Sequence, residues 1–77
     1  VQGLGEVLEA EALSGSDIVG LPLRKSRIPK GVTVGAVLRG QQVIAARGDT
    51  IIEAGDHVVL FAKQGKSRQA ENILSAK

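Results

Sequence analysis

The 77-residue chain has no cysteine, methionine, tryptophan or tyrosine, and its one aromatic residue is Phe61. Without cysteine there is neither a disulfide framework nor a thiolate metal site. His57 is the only histidine, so a metal would have to be held by carboxylates. Glu9, Glu11, Asp49, Glu53 and Asp56 are candidates by residue type alone. The first two fall on an exposed strand face and the others suit turn caps, so no metal site is expected. The near absence of aromatics removes the stacking platforms that single-stranded nucleic acid and RNA require. Ten basic residues against eight acidic leave a formal charge of only +2, with the basic groups scattered outside Arg24-Lys25-Ser26-Arg27 and Lys30. No nucleic-acid partner is expected from that distribution. No apolar run approaches the roughly 20 residues of a membrane span, so no direct membrane insertion is expected.

Other absences bear on chemistry. No serine pairs with His57 and an aspartate in a nucleophile setting, and Ser14-Gly15-Ser16 is ordinary turn sequence. No catalytic residue is expected, and the chain reads as a non-enzyme. Gly3-Leu4-Gly5 resembles the start of a dinucleotide fingerprint, but Leu8 stands where the third glycine belongs and only two residues precede Gly3. The close approach of backbone to a pyrophosphate is therefore missing, and no cofactor is expected in this domain. Arg47-Gly48-Asp49 reads as a turn rather than as an integrin-type tripeptide. The chain opens with Val1-Gln2-Gly3-Leu4, without a Met or the charged and apolar regions of a signal peptide, which leads us to expect a fragment of a longer protein.

What is present is a series of short β-forming segments punctuated by glycine. A chain of this length makes a single domain and buries only about 60% of its unfolded surface, so a partner subunit would help a core built from Val, Ile, Leu and Ala. Residues 6–13 read as a first strand, with Leu8, Ala10 and Ala12 on one face and Val7, Glu9 and Glu11 on the other. Pro22 suits a first helical turn, and Pro29 would end it, which predicts a short helix over 21–27. Residues 31–38 are rich in β-branched side chains, and strict alternation puts Val32, Val34, Ala36 and Leu38 on a common face. Gly40 supplies a hairpin turn into 43–46, an antiparallel neighbour. Gly48-Asp49 and Gly55-Asp56 mark turns around a brief extended piece, before a central strand over 57–62. Ala70, Ile73 and Leu74 lie at helical spacing in an amphipathic helix over 65–77, with Ser67 as its cap. Both faces of the middle strands are largely uncharged, which suggests cover on both sides, by a helix or by another subunit. Arg39 and Arg47 flank the hairpin and are the candidate ligand residues, able to hold a phosphate or carboxylate at a shared mouth.

The order of these features resembles the C-terminal (TrkA-C-like) domain of bacterial regulators of potassium conductance, the RCK proteins, over residues 6–62. The matching pieces are the Glu-rich opening strand, Ser16-Asp17-Ile18-Val19-Gly20, the Gly31 to Arg39 strand, and Arg47-Gly48-Asp49-Thr50 through Ala54-Gly55-Asp56 to Phe61. Leu21 and Ser26 depart from the family pattern. The resemblance implies an α+β domain, a small antiparallel sheet with two short helices, that forms a homodimer. It also implies a regulatory, ligand-sensing role in a Trk-type potassium uptake system, cytoplasmic and peripheral to the inner membrane through a membrane potassium channel subunit. NAD(H) or ATP would then sit on a separate dinucleotide-binding domain absent from this chain. The same kind of domain also serves as a sensory appendage of other ion or carboxylate transporters and of transcription factors.

Overall fold

The computed structural model describes residues 5–75. Residues 1–4, which carry most of the partial glycine motif, and the last two residues of the helix expected over 65–77 lie outside that range. Four strands make a single antiparallel sheet: β1 (Gly5–Glu11), β2 (Val32–Arg39), β3 (Gln42–Ala45) and β4 (His57–Lys63), in the order β1-β4-β2-β3. The last strand of the chain is therefore inserted between the first two, as its uninterrupted Val58-Val59-Leu60-Phe61 run demands. The β2–β3 hairpin turns through Gly40 and Gln41, with Arg39 opposite Gln42 and Gly40 at φ +60°. That left-handed conformation suits glycine at the first central position of a two-residue turn.

One face of the sheet carries the core. Leu60, Val58 and Ala62 from β4 meet Val32 and Val37 from β2, and above them lie Ala12, Ile18, Leu23, Ile52, Ala70, Ile73 and Leu74, all buried. Ala70, Ile73 and Leu74 bury together as their spacing predicts, although α1 itself is only Ser67–Asn72. Ser67 opens this helix rather than capping it. Its N-cap is Lys66, without a side-chain cap bond, and the Ser67 hydroxyl instead donates to the Glu6 carboxylate on β1.

Two expectations are corrected. The helix expected over 21–27 is a single 3-10 turn, Leu23–Lys25, so the domain has one α-helix and not two. Pro22 stands at ψ 143° and Ser26 at ψ 153°, so extended backbone brackets the turn on both sides. The N–H groups of Leu23 and Arg24 donate to the carbonyls of Thr50 and Gly48, which draws the segment along the neighbouring loop instead of into a longer cylinder. The second correction concerns β2. Its register against β4 slips between Val34, opposite Leu60, and Ala36, opposite Val59. This is a β-bulge at Gly35, and it reverses the alternation beyond it. Val37, not Ala36 or Leu38, enters the core, and Ala36 and Leu38 turn to the other face. A side chain at Gly35 would collide with the Phe61 ring, which lies across the bulge.

The loop between β3 and β4 has no strand of its own, yet it is pinned by isolated bridges from Ile52 to Val19 and from Ile51 to Pro22. Alternation within that short extended piece sends Ile52 fully inside and leaves Ile51 47% exposed. Ile52→Ala is therefore expected to cost about 3 kcal/mol, the scale of a buried aliphatic truncation. Ile51→Ala, one residue away, is expected to cost less than about 1 kcal/mol. Urea denaturation of the two variants checks this; equal losses would contradict the assigned orientation.

Candidate functional site

The second face of the sheet is open. The strand register lines up Val7, Phe61 and Thr33 in one row, Glu9, Val59, Ala36 and Ala45 in the next, and Glu11, His57, Leu38 and Val43 in a third. Within these rows Val7 is 61% exposed, Val43 73% and Phe61 47%. Val7 and Phe61 stand directly opposite each other on adjacent strands, and half-buried Val59, Ala36 and Leu38 extend the apolar surface from them to Val43 on the far edge strand. The ionisable residues are peripheral: Glu9 and Glu11 lie on edge strand β1, and His57 and Lys63 stand at the two ends of β4. At the Lys63 end, Val7, Thr33, Phe61 and Lys63 border a hollow of about 480 Å³ that Gly5 and Gly31 help to shape. The second face of the middle strands is mostly uncharged, with Ala36 and Leu38 on it in place of Val37 and Arg39, and none of the described residues covers it.

On the core side, the loop that carries Ile52 is tied down electrostatically. Arg39 Nε donates to Asp56 Oδ1 at 2.9 Å, and its Nη2 donates to Asp56 Oδ2 at 2.7 Å and to the Ile51 carbonyl at 3.1 Å. Its Nη1 stands 3.3 Å from Glu53 Oε2. Asp56 Oδ2 also accepts the Glu53 N–H at 2.9 Å, closing the Glu53–Asp56 turn. Asp56 is only 3% exposed, so its carboxylate depends on this two-pronged guanidinium contact. The Arg39 hydrogen bond holds the Asp56 carboxyl below its ordinary value, against the opposing effect of burial, and the Glu53 N–H adds to it. The same bond raises Arg39 above the ordinary guanidinium value.

The two arginines singled out in the sequence are not brought together. Arg39 adjoins the hairpin turn, whereas Arg47 follows Ala46, whose N–H bonds the Gly35 carbonyl at the far end of the hairpin. Four residues of strand, roughly 13 Å, separate their levels. The donors of Arg39 are occupied within the fold. Arg47 is exposed, and it borders a groove of about 310 Å³ with Arg24, over a floor of Leu23, Ile28, Val32 and Val34. Sequence reading missed Arg24 as the neighbour of Arg47. The signal for it is charge distribution: none of the acidic residues lies between Asp17 and Asp49.

Among the described residues no group of three His, Cys, Asp or Glu side chains is placed to hold a metal ion. Gly5, the one residue of the partial glycine motif that is described, belongs to strand β1 and does not open a helix. No helix among the described residues is long and apolar enough to cross a membrane.

With this geometry in hand, comparison with known proteins is decisive at the level of family: the model for the TrkA-C domain matches residues 7–75. The chain belongs to the TrkA-C domain family. It is 44% identical over 73 residues to the Trk system potassium uptake protein TrkA of Azorhizobium caulinodans, a match covering 95% of this chain and 16% of that protein. TrkA homolog 1 of Methanosarcina mazei is 41% identical over 66 residues, covering 86% of this chain and 15% of its own length. TrkA of Haemophilus influenzae is 41% identical over 68 residues, covering 84% and 15%. This TrkA-C domain thus spans about a sixth of the length of the curated relatives it matches. A solved structure described as an RCK domain with cda superimposes at a TM-score of 0.76 and 17% identity, over 90% of this chain and 97% of that one, which establishes the shared fold.

The Arg39–Asp56 pair makes a testable contribution to stability. A carboxyl whose folded pKa lies below its unfolded value of about 4 stabilises fully above that value and loses the contribution as pH falls through the folded value. Asp56→Asn is expected to lower the Tm at pH 7 by about 4–8 °C, the scale of 1 kcal/mol in a domain of this size. It is also expected to flatten the decline in stability below about pH 4. Thermal melts from pH 7 to pH 2.5 check both parts, and a variant whose melts overlay the parent's would refute the clamp.

Proposed function

We propose that this TrkA-C domain is a self-associating regulatory module of a Trk-type potassium uptake system, and not an enzyme. In this reading two copies meet through the open sheet face. Nucleotide or small-ligand state elsewhere in the assembly is coupled through that contact to the gating of a membrane potassium channel subunit. NAD(H) or ATP belongs on a dinucleotide-binding domain outside this chain, and the whole works on the cytoplasmic side, peripheral to the inner membrane.

The observation that carries the proposal is the uncovered apolar face, found in a domain whose family membership ties it to potassium uptake proteins. Val7, Val43 and Phe61 would leave water if a second copy lay over them, and burial of that area is the main driving force available to so small a domain. The polar margin is compatible with two-fold pairing. A symmetry axis running across the strands brings Lys63, at one end of the face, over the row of His57 and Glu11 at the other. Coupling then follows from assembly, because a ligand that favours one arrangement of such dimers shifts the equilibrium by its difference in affinity for the two. The reading as a sensory appendage of another transporter or of a transcription factor uses the same dimer but not the potassium link.

Sedimentation velocity provides the test. The parent chain is expected to sediment as a dimer, and Phe61→Glu as a monomer with an unchanged far-ultraviolet circular dichroism spectrum. In cells that depend on the full-length protein for potassium uptake, the same substitution is expected to reduce uptake severalfold. A parent chain that stays monomeric at high concentration would overturn the proposal, and so would undiminished uptake from a monomeric variant.

A further inference from the structure

The segment that leaves the 3-10 turn sets a serine among cations. Ser26 stands in Arg24-Lys25-Ser26-Arg27, and no acidic residue lies between Asp17 and Asp49. Of the serines in the chain, only Ser26 and Ser67 have a basic residue on each side. The structure separates these two. Ser67 is the first residue of α1, and its hydroxyl donates to the Glu6 carboxylate, so a second anion at that position would meet one already there. Ser26 closes the 3-10 turn in extended backbone, at φ −82° and ψ 153°, and residues 27–29 beyond it belong to no helix or strand.

Ser26 is also loosely tied. It is partly exposed, and its hydroxyl donates to the Pro22 carbonyl at 3.3 Å, longer than the ordinary O–H···O range. The backbone bonds on either side of its peptide are local: the Ser26 N–H donates to the Leu23 carbonyl at 3.0 Å, and the Ile28 N–H donates to the Ser26 carbonyl at 3.1 Å. Drawing this segment into the cleft of another enzyme breaks short-range bonds and leaves the sheet paired.

We propose that Ser26 is a phosphorylation site for a protein serine kinase that selects serines between basic residues, a choice made by charge complementarity with the kinase cleft. In the step, Ser26 Oγ attacks the γ-phosphorus of ATP. The Oγ–P bond forms as the bond from that phosphorus to the β–γ bridging oxygen breaks, ADP leaves with the electron pair, and the hydroxyl proton passes to the base of the kinase. The product brings a charge of about −2 into a basic neighbourhood. Among the described residues Arg24, Lys25 and Arg27 form no ion pair, so the new phosphate gains charge-assisted hydrogen bonds without breaking existing ones. The loop bonded to the turn through Gly48 adds exposed Arg47, with exposed Asp49 as the opposing charge. Because Leu23 of the turn packs into the core side of the sheet, the modification does not depend on pairing of two copies through the open face.

Tandem mass spectrometry of the full-length protein, purified with phosphatase inhibitors from cells grown at low and at high external potassium, reads the site directly. The peptide containing Ser26 is expected to carry a phosphoryl group in at least one condition, and the peptide containing Ser67 in neither. The chain itself, given ATP and an arginine-directed serine kinase, is expected to take up one phosphoryl group. Ser26→Ala is expected to lose that uptake while keeping the circular dichroism spectrum of the parent, and Ser67→Ala to retain it. Phosphoserine installed at position 26 by amber-codon incorporation is expected to raise the Tm by a few degrees, with the gain shrinking at high salt. Phosphoserine at position 67 is expected to lower it. A Ser26 peptide unmodified in both growth conditions, a parent chain that takes up no phosphoryl group, uptake that survives Ser26→Ala, or phosphoserine at position 26 that lowers the Tm would overturn the proposal.

Discussion

A four-stranded sheet has two faces, and the connections in this chain supply enough apolar material to cover one. Helix α1, the 3-10 turn, Ile18 and Ile52 all pack on the same side of β4 and β2. With no disulfide and little aromatic volume, the covered side depends on close contact among small aliphatic groups, and each layer above the sheet must be held down by specific ties. One-sided cover explains the two main features of the molecule: a densely tied core face and a bare face of Val7, Val43 and Phe61.

The bulge at Gly35 links the two faces. Without it, Arg39 would point to the open face and Val37 would accompany it. With the extra residue, Val37 enters the core and Arg39 reaches the core side, where Asp56 and the Ile51 carbonyl await it. The guanidinium then anchors the loop that delivers Ile52 to the core. The same shift turns Ala36 and Leu38 outward, adding apolar surface to the bare face. A single inserted position therefore sets both the internal clamp and the composition of the external patch, and Phe61 lies over the glycine because any side chain there would occupy its space.

Much of this plan is legible in the residues. The run from Val58 to Phe61 identifies the central strand, Gly40 locates the hairpin, and the spacing of Ala70, Ile73 and Leu74 reports the buried stripe of the terminal helix. The bulge is not legible, because a period-two pattern of β-branched residues looks unbroken through Gly35 and only pairing with Leu60 and Val59 reveals the slip. The loss of the first helix has a similar origin: Pro22 and Pro29 bracket a possible helix, but long-range bonds to Gly48 and Thr50 decide its length. For the arginines, residue type marked both as candidates, whereas three-dimensional pairing assigns Arg39 to the clamp and sets Arg47 beside Arg24. The family itself was readable from the order of glycine-aspartate turns and aliphatic strands, and it matches across residues 7–75.

Membership in the TrkA-C domain family and the bare sheet face together make association between copies the central claim. Isotope-filtered nuclear Overhauser spectroscopy on a mixture of carbon-13-labelled and unlabelled chains tests it most directly. The account predicts contacts between chains from the Phe61 ring and from the methyl groups of Val7 and Val43. Absence of any such contact, or contacts confined to helix α1 and the Arg47 loop, would contradict it.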